Sequence, residues 1–108
     1  MASLRIRRQR ITPLIKAVQN QDVDAVRSRI EAGDNIEETD SFGQTALHWA
    51  TKYESAEIVQ LLLDAGADLN AQDEDGDTPL QNAEKNAYPA ILEAIARSRR
   101  GSNRTEKE

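Results

Sequence analysis

Cysteine is absent, and histidine, tryptophan and phenylalanine occur once each in 108 residues. Without cysteine the chain has no disulfide framework and no thiolate metal centre. With His48 as the single histidine, a zinc site would lack its usual ligands. No segment approaches the run of about 18 apolar residues that a membrane span requires. The basic start MASLRIRRQR is not followed by an apolar stretch, so a secretory signal is not expected and the cytoplasm is the expected location. No glycine-rich phosphate loop, nucleophile elbow or zinc motif is present. An enzyme, a cofactor and a small-molecule substrate are therefore not expected.

Charge, in contrast, is plentiful and unevenly placed. Charged residues make up 31% of the chain and the net charge is −5. Arg5, Arg7, Arg8 and Arg10 make the start basic, and residues 97–108 are basic again. Between them lie two acidic stretches, Glu31 to Asp40 and Asp64 to Asp77. Solvated turns with basic ends account for this pattern; an acidic edge that attracts a basic partner is the sharper reading. The arginines have no stacking aromatics beside them and the whole chain is acidic, so nucleic acid is not the expected partner.

The dominant signal is a repeat of 33 residues. Thr12, Thr45 and Thr78 are so spaced, as are Leu14, Leu47 and Leu80, and Ala17, Ala50 and Ala83. Val26, Val59 and Leu92 keep the step, and Gly33 pairs with Gly66, Gly43 with Gly76, and Asp40 with Asp73. Each unit reads as helix, turn, helix, loop. The threonines suit helix N-caps, and Pro13 and Pro79 follow them at the first helical position, where a missing N–H costs nothing. Ile58, Val59, Leu62 and Leu63 form a helical stripe that starts near Ser55. Gly66 suits a left-handed stop, and Asp75-Gly76 is a turn signal.

Period and motif together resemble the ankyrin repeat family, whose signature T-P-L-H-x-A recurs every 33 residues. The segment "DSFGQTALHWATKYESAEIVQLLLDAGADLNAQ" follows the family pattern nearly throughout, departing at Ala46, where proline is preferred, and at Glu54, where glycine is. The third unit keeps "DEDGDTPLQNA" but carries Gln81 for histidine and Ala87 for glycine. The first keeps "TPLIKA" and "EAGDNI" with Ile15 for histidine. The resemblance implies an all-α ankyrin-repeat solenoid of three helix-turn-helix units joined by short hairpin-like loops. The expected divisions are a basic extension over 1–11, units over 12–39, 40–72 and 73–96, and a basic end with a disordered tail over 97–108. Arg29, Ala96 and Arg99 replace apolar or glycine columns at the two ends, which reads as polar capping of a complete small array.

The resemblance also decides how the rare residues are read. His48 falls on the family histidine that ties units together, with Thr45, Thr12 and Thr78 as its structural motif. Trp49 is expected to pack between first helices. The family binds through hairpin tips and the exposed side of the first helices, which carries over to Ser41, Phe42, Gln44, Gln72, Glu74, Asp75 and Asp77, and to Lys52, Tyr53, Lys85 and Asn86. Phe42 and Tyr53 would be anchors, because aromatics bury much area at low entropic cost. Asp73, Asp75, Asp77 and Glu84 match four ligand offsets of a calcium loop. Thr78 stands where that loop needs glycine, and Pro79 and Leu80 fall in a helix, so no metal is expected. The function these residues imply is a protein-binding module that inhibits or scaffolds its partner and is monomeric alone. Alternatives are an immunity-type inhibitor of a basic-site nuclease or other toxin, and a structural subunit of an oligomer.

Overall fold

In the computed structural model residues 12–106 are described, with side chains through 99. The basic extension expected over 1–11 lies outside them. Six helices follow one another in pairs: α1 (Pro13–Gln19) with α2 (Val23–Glu31), α3 (Ala46–Lys52) with α4 (Ala56–Asp64), and α5 (Pro79–Asn86) with α6 (Pro89–Glu106). First helices stack on first helices, α1 on α3 on α5, and second helices do the same. No strand occurs among the described residues.

Local chemistry starts each unit in the same way. Thr12, Thr45 and Thr78 all have extended backbone, and their hydroxyls accept the N–H of Ile15, His48 and Gln81 respectively. A first helix of seven or eight residues has few internal hydrogen bonds, so satisfying one free N–H at its start matters. The apolar residues at helical spacing then meet in one continuous core, which runs from Leu14, Ile15 and Val18 through Leu47, Ile58, Val59 and Leu62 to Ile91 and Ile95. The middle unit is buried from both sides, and Ala46, Ala50, Val59 and Leu62 are fully enclosed.

The third unit ends differently from the first two. Gly33 and Gly66 adopt φ of +90° and +97° just after α2 and α4, a left-handed geometry that halts a helix. The same column in the third unit holds Arg99, and α6 runs on through Glu106. The described backbone is thus helical to 106. Gly101 alone, at about 1 kcal/mol, is too weak a breaker to stop it.

A second left-handed column connects the helices of each pair. Gln21, Glu54 and Ala87 have φ of 54°, 55° and 53°. These are 33 apart, and none is glycine. A side chain in this conformation costs about 1–2 kcal/mol, partly offset by the extra chain entropy glycine would lose, about 0.5–1 kcal/mol. Glu54→Gly and Ala87→Gly are therefore each expected to raise stability by about 0.5–1 kcal/mol. Chemical denaturation of both variants checks this; a fall in midpoint would show that the side chains at these sites make compensating contacts.

Candidate functional site

Two aspartates build the hairpins. The Asp40 carboxylate accepts the backbone N–H of Phe42 at 2.9 Å and of Gln44 at 3.0 Å through one oxygen. Asp73 does the same for Asp75 and Asp77, both at 2.9 Å. A side-chain acceptor facing two successive turn donors fixes the turn without a strand ladder. The second oxygen of each carboxylate points inward. That of Asp40 takes the Trp49 indole N–H at 2.8 Å, and that of Asp73 takes the Gln44 amide at 3.1 Å. One hairpin also bonds the next directly, from the Glu74 N–H to the Phe42 carbonyl at 3.2 Å. Gly43 sits at that crossing with φ +76°, and a Cβ there would lie 3.0 Å from the Glu74 nitrogen.

Hydrogen bonds hold the Asp73 carboxyl below its ordinary 3.8, although burial pushes it up. The donors are the Asp77 N–H, the Gln44 amide and the Asp75 N–H. All three favour the ionised form.

His48 joins the middle unit to the third. Its Nδ1 lies 3.0 Å from the Thr45 backbone nitrogen, which only donates, so Nδ1 is the acceptor. Its Nε2 lies 2.9 Å from the Asp77 carbonyl oxygen, which only accepts, so Nε2 carries the proton. The ring is thus neutral, 3% exposed, and bonded at both nitrogens. In the third unit the Gln81 side chain closes the same cap on the Thr78 N–H at 3.1 Å.

The expected contact residues separate into groups. Gln44, Lys52, Asp75, Asp77 and Lys85 come together and line a cleft of about 220 Å³ between the third hairpin and the first helices α3 and α5. Phe42, 48% exposed, and Tyr53, 38% exposed, stand outside the lining. Ser41, half-buried, and Gln72, Glu74 and Asn86, exposed, also lie outside it. One expectation is corrected. Gln44 is buried, its amide nitrogen held by Asp73 and its oxygen by the Lys52 ammonium at 2.9 Å, so its side chain serves the fold. Trp49 packs against the core and has a second part. It is half-buried and braces helix to hairpin through Asp40, while the Tyr53 ring lies 5.8 Å away and the Lys52 ammonium 4.7 Å from the Trp49 ring centre.

The carboxylates of Asp73, Asp75 and Asp77 come within 4.8 Å of one another. Asp73 already accepts three hydrogen bonds, and Thr78 and Pro79 open α5 as a cap and a first helical residue. A pair that the sequence reading missed is Thr51 and Asn82. Thr51 is fully buried, donates to the His48 carbonyl at 2.8 Å and accepts the Asn82 amide at 3.2 Å, linking α3 to α5. The column holds Val18 and Glu84 in the other units, so the repeat gave no hint of it.

Stacked helix pairs, hairpins projecting to one side and a capping threonine in every unit define an α-solenoid of helix-turn-helix repeats. The sequence pattern of ankyrin repeats, in three copies, matches residues 14–106, and the chain belongs to the ankyrin repeat family. It is 42% identical over 86 residues to the 2-5A-dependent ribonuclease of Homo sapiens, a match covering 79% of this chain and 10% of that protein. It is 39% identical over 74 residues to Rabankyrin-5 of Mus musculus, covering 68% of this chain and 6% of that one. Among solved structures, the ankyrin repeat domain of Bcl-3, a member of the IkappaB protein family, superposes with a TM-score of 0.76 at 31% identity. That likeness covers 82% of this chain and 40% of that domain. The chain thus spans about a tenth or less of these two curated relatives. Ankyrin repeats are generally protein–protein interaction modules, and the fold is typically non-enzymatic.

Two outcomes follow from the hydrogen bonds. His48→Ala leaves the Thr45 N–H and the Asp77 carbonyl without partners and is expected to cost about 1–3 kcal/mol. His48→Gln, which can close the cap as Gln81 does, should cost about half as much; denaturation midpoints of the two variants give the comparison. The second outcome concerns pH. A carboxyl whose folded value is lowered contributes stability that is present at neutral pH and lost as pH falls through that value. Asp73→Asn should therefore destabilise the protein near neutrality, and the gap from wild type should narrow once the pH drops below 3.8. An equal gap at both ends of the titration would mean the loss is one of shape and not of charge.

Proposed function

We propose that the protein is a non-enzymatic docking module that holds another protein against the hairpin side of its middle and third units. The observation that carries this reading is the placement of Phe42 and Tyr53. They are the large apolar side chains most open to water among the described residues, and both belong to the middle unit. They are also mechanically connected: Phe42 rides on the turn that Asp40 braces, Asp40 holds Trp49, and Trp49 packs against Tyr53. Rigid aromatics anchor a partner well because little entropy is lost on contact.

The partner that suits this surface is basic. Glu74, Asp75 and Asp77 are exposed on the projecting turn beside the anchors, and the chain carries a net charge of −5. Acidic groups at a rim act on the rate of encounter and on register more than on final affinity. A protein with a basic active surface would be inhibited by such docking, and an immunity-type inhibitor of a basic-site nuclease is the specific form this takes.

The test is surface-plasmon kinetics against a protein captured from native lysate at low salt. Glu74→Gln combined with Asp75→Asn should slow association and flatten its salt dependence while changing dissociation less. Phe42→Ala should instead speed dissociation, with a loss of about 2 kcal/mol or more. Wild-type rates in both variants would move the interface to the opposite side, formed by the second helices.

A further inference from the structure

The cleft between the third hairpin and the first helices α3 and α5 has two chemically different walls. Part of its lining is already spent: both His48 nitrogens, the Gln44 amide and the Thr78 hydroxyl are bonded within the fold. The groups left open sort by side. On the hairpin wall they are acceptors. The Asp75 and Asp77 side chains are exposed, and neither carboxylate takes a hydrogen bond or an ion pair among the described residues. On the helix wall they are donors. The Lys85 ammonium is exposed and likewise unpaired among the described residues. The Lys52 ammonium gives a hydrogen bond to Gln44, and a lysine has further donors to give. Gln81 spends its side-chain oxygen on the Thr78 N–H, which leaves its amide N–H groups open.

Size and shape narrow what can enter. A volume of about 220 Å³ is smaller than the roughly 300–1,000 Å³ of a small-molecule site, and it suits about one or two side chains. An extended segment sends successive side chains to opposite faces. Laid between these walls, it offers one residue to the carboxylates and the next to the ammonium groups. The carboxylates of Asp73, Asp75 and Asp77 come within 4.8 Å of one another, and Asp73 is committed to its turn and to Gln44. A guanidinium has donors along several edges and can span Asp75 and Asp77 together, where an ammonium would act only as a point charge. On the facing wall a carboxylate meets Lys85 and the spare donors of Lys52. A second basic residue there would meet like charge, and such repulsion is how a site rejects as well as selects.

We infer that the cleft takes an arginine and an adjacent acidic residue of an extended partner segment, the arginine against Asp75 and Asp77 and the acid against Lys85. This rests on the hairpin side being the docking side and makes it more specific: the partner is not uniformly basic where it enters the cleft. The charge site and the aromatic anchors are neighbours, because the Lys52 ammonium lies over the Trp49 ring and Trp49 packs against Tyr53. The charged groups are exposed, so each pair is weak and is screened by salt.

Titration of the isotope-labelled protein with capped hexapeptides at low salt, followed by backbone amide NMR, tests this. The peptide AAREAA should give saturable shifts at Asp75, Gln81 and Lys85. AARRAA, which places a second arginine where the acid belongs, should bind about fivefold more weakly. Lys85→Glu should invert that order, and Asp75→Asn combined with Asp77→Asn should remove the binding of both peptides. All three substitutions are at exposed positions, and circular dichroism verifies the fold. An absence of saturable shifts with AAREAA at millimolar concentration overturns the inference. So do equal affinities for the two peptides, or an order that Lys85→Glu leaves unchanged. Kinetics against the captured partner keep the two readings apart. Binding that depends on Phe42 but not on Lys85 retains the hairpin side as the docking side and overturns the charge-paired cleft. Peptide binding as expected, with partner binding indifferent to Phe42, supports the cleft and removes the aromatic anchor.

Discussion

Helices of seven to nine residues do not persist alone in water, and the first five helices of this protein are that short. Every one of them depends on burial supplied by a neighbour. This constraint explains the order of the molecule. A unit folds its own pair of helices around a shared stripe, then lends its remaining apolar surface to the next unit. The middle unit, covered on both sides, holds the most enclosed residues, while the leucines of the third remain partly open. Stability in such an array is close to a sum of unit and interface contributions. The interfaces therefore matter as much as the interior of any unit.

Apolar burial alone would allow the units to slide or rotate against one another. Direction comes from polar groups that each have one matching partner. His48 reads the Asp77 carbonyl, Asn82 reads Thr51, and the Gln44 amide reads Asp73. Asp73 has a double part: one oxygen shapes its own hairpin and the other ties that hairpin back to the preceding unit. These groups are buried or partly so, where an unmatched donor or acceptor would be costly. No fully buried side-chain polar atom among the described residues lacks a partner. The histidine beside the tryptophan, which as a sequence suggests chemistry, is thereby consumed in fixing the spacing between units.

The same economy separates the surfaces. The faces between units are committed to stacking, and the backs of the second helices are stitched by polar pairs such as Arg97 with Gln60. The hairpin side keeps an aromatic pair, a cleft and an acidic tip whose backbone is already rigid. A surface that is braced before contact loses little entropy on binding, which is what recognition by a small scaffold requires.

Much of this was legible from the sequence because it is local. A threonine cap acts on an N–H three residues away, a proline at the first helical position acts on its own backbone, and Gly66 acts on its own φ. The repeat then multiplies each local signal threefold, so the fold followed from the chain alone. What the sequence could not decide are pairings between residues about thirty positions apart in different units. Gln44 looked like a surface contact until Asp73 and Lys52 enclosed it, and Thr51 had no counterpart in its own column. Trp49 packs against the core, but the acceptor of its indole N–H, Asp40, is not legible in the sequence. The length of α6 was likewise settled by what is missing, since Arg99 in the glycine column offers no left-handed stop. Local backbone chemistry fixes which elements form and where they begin. Only the stacked structure decides which polar side chains are spent on holding the units together and which remain to meet a partner, because that depends on which atoms the packing brings within 3 Å or so of each other.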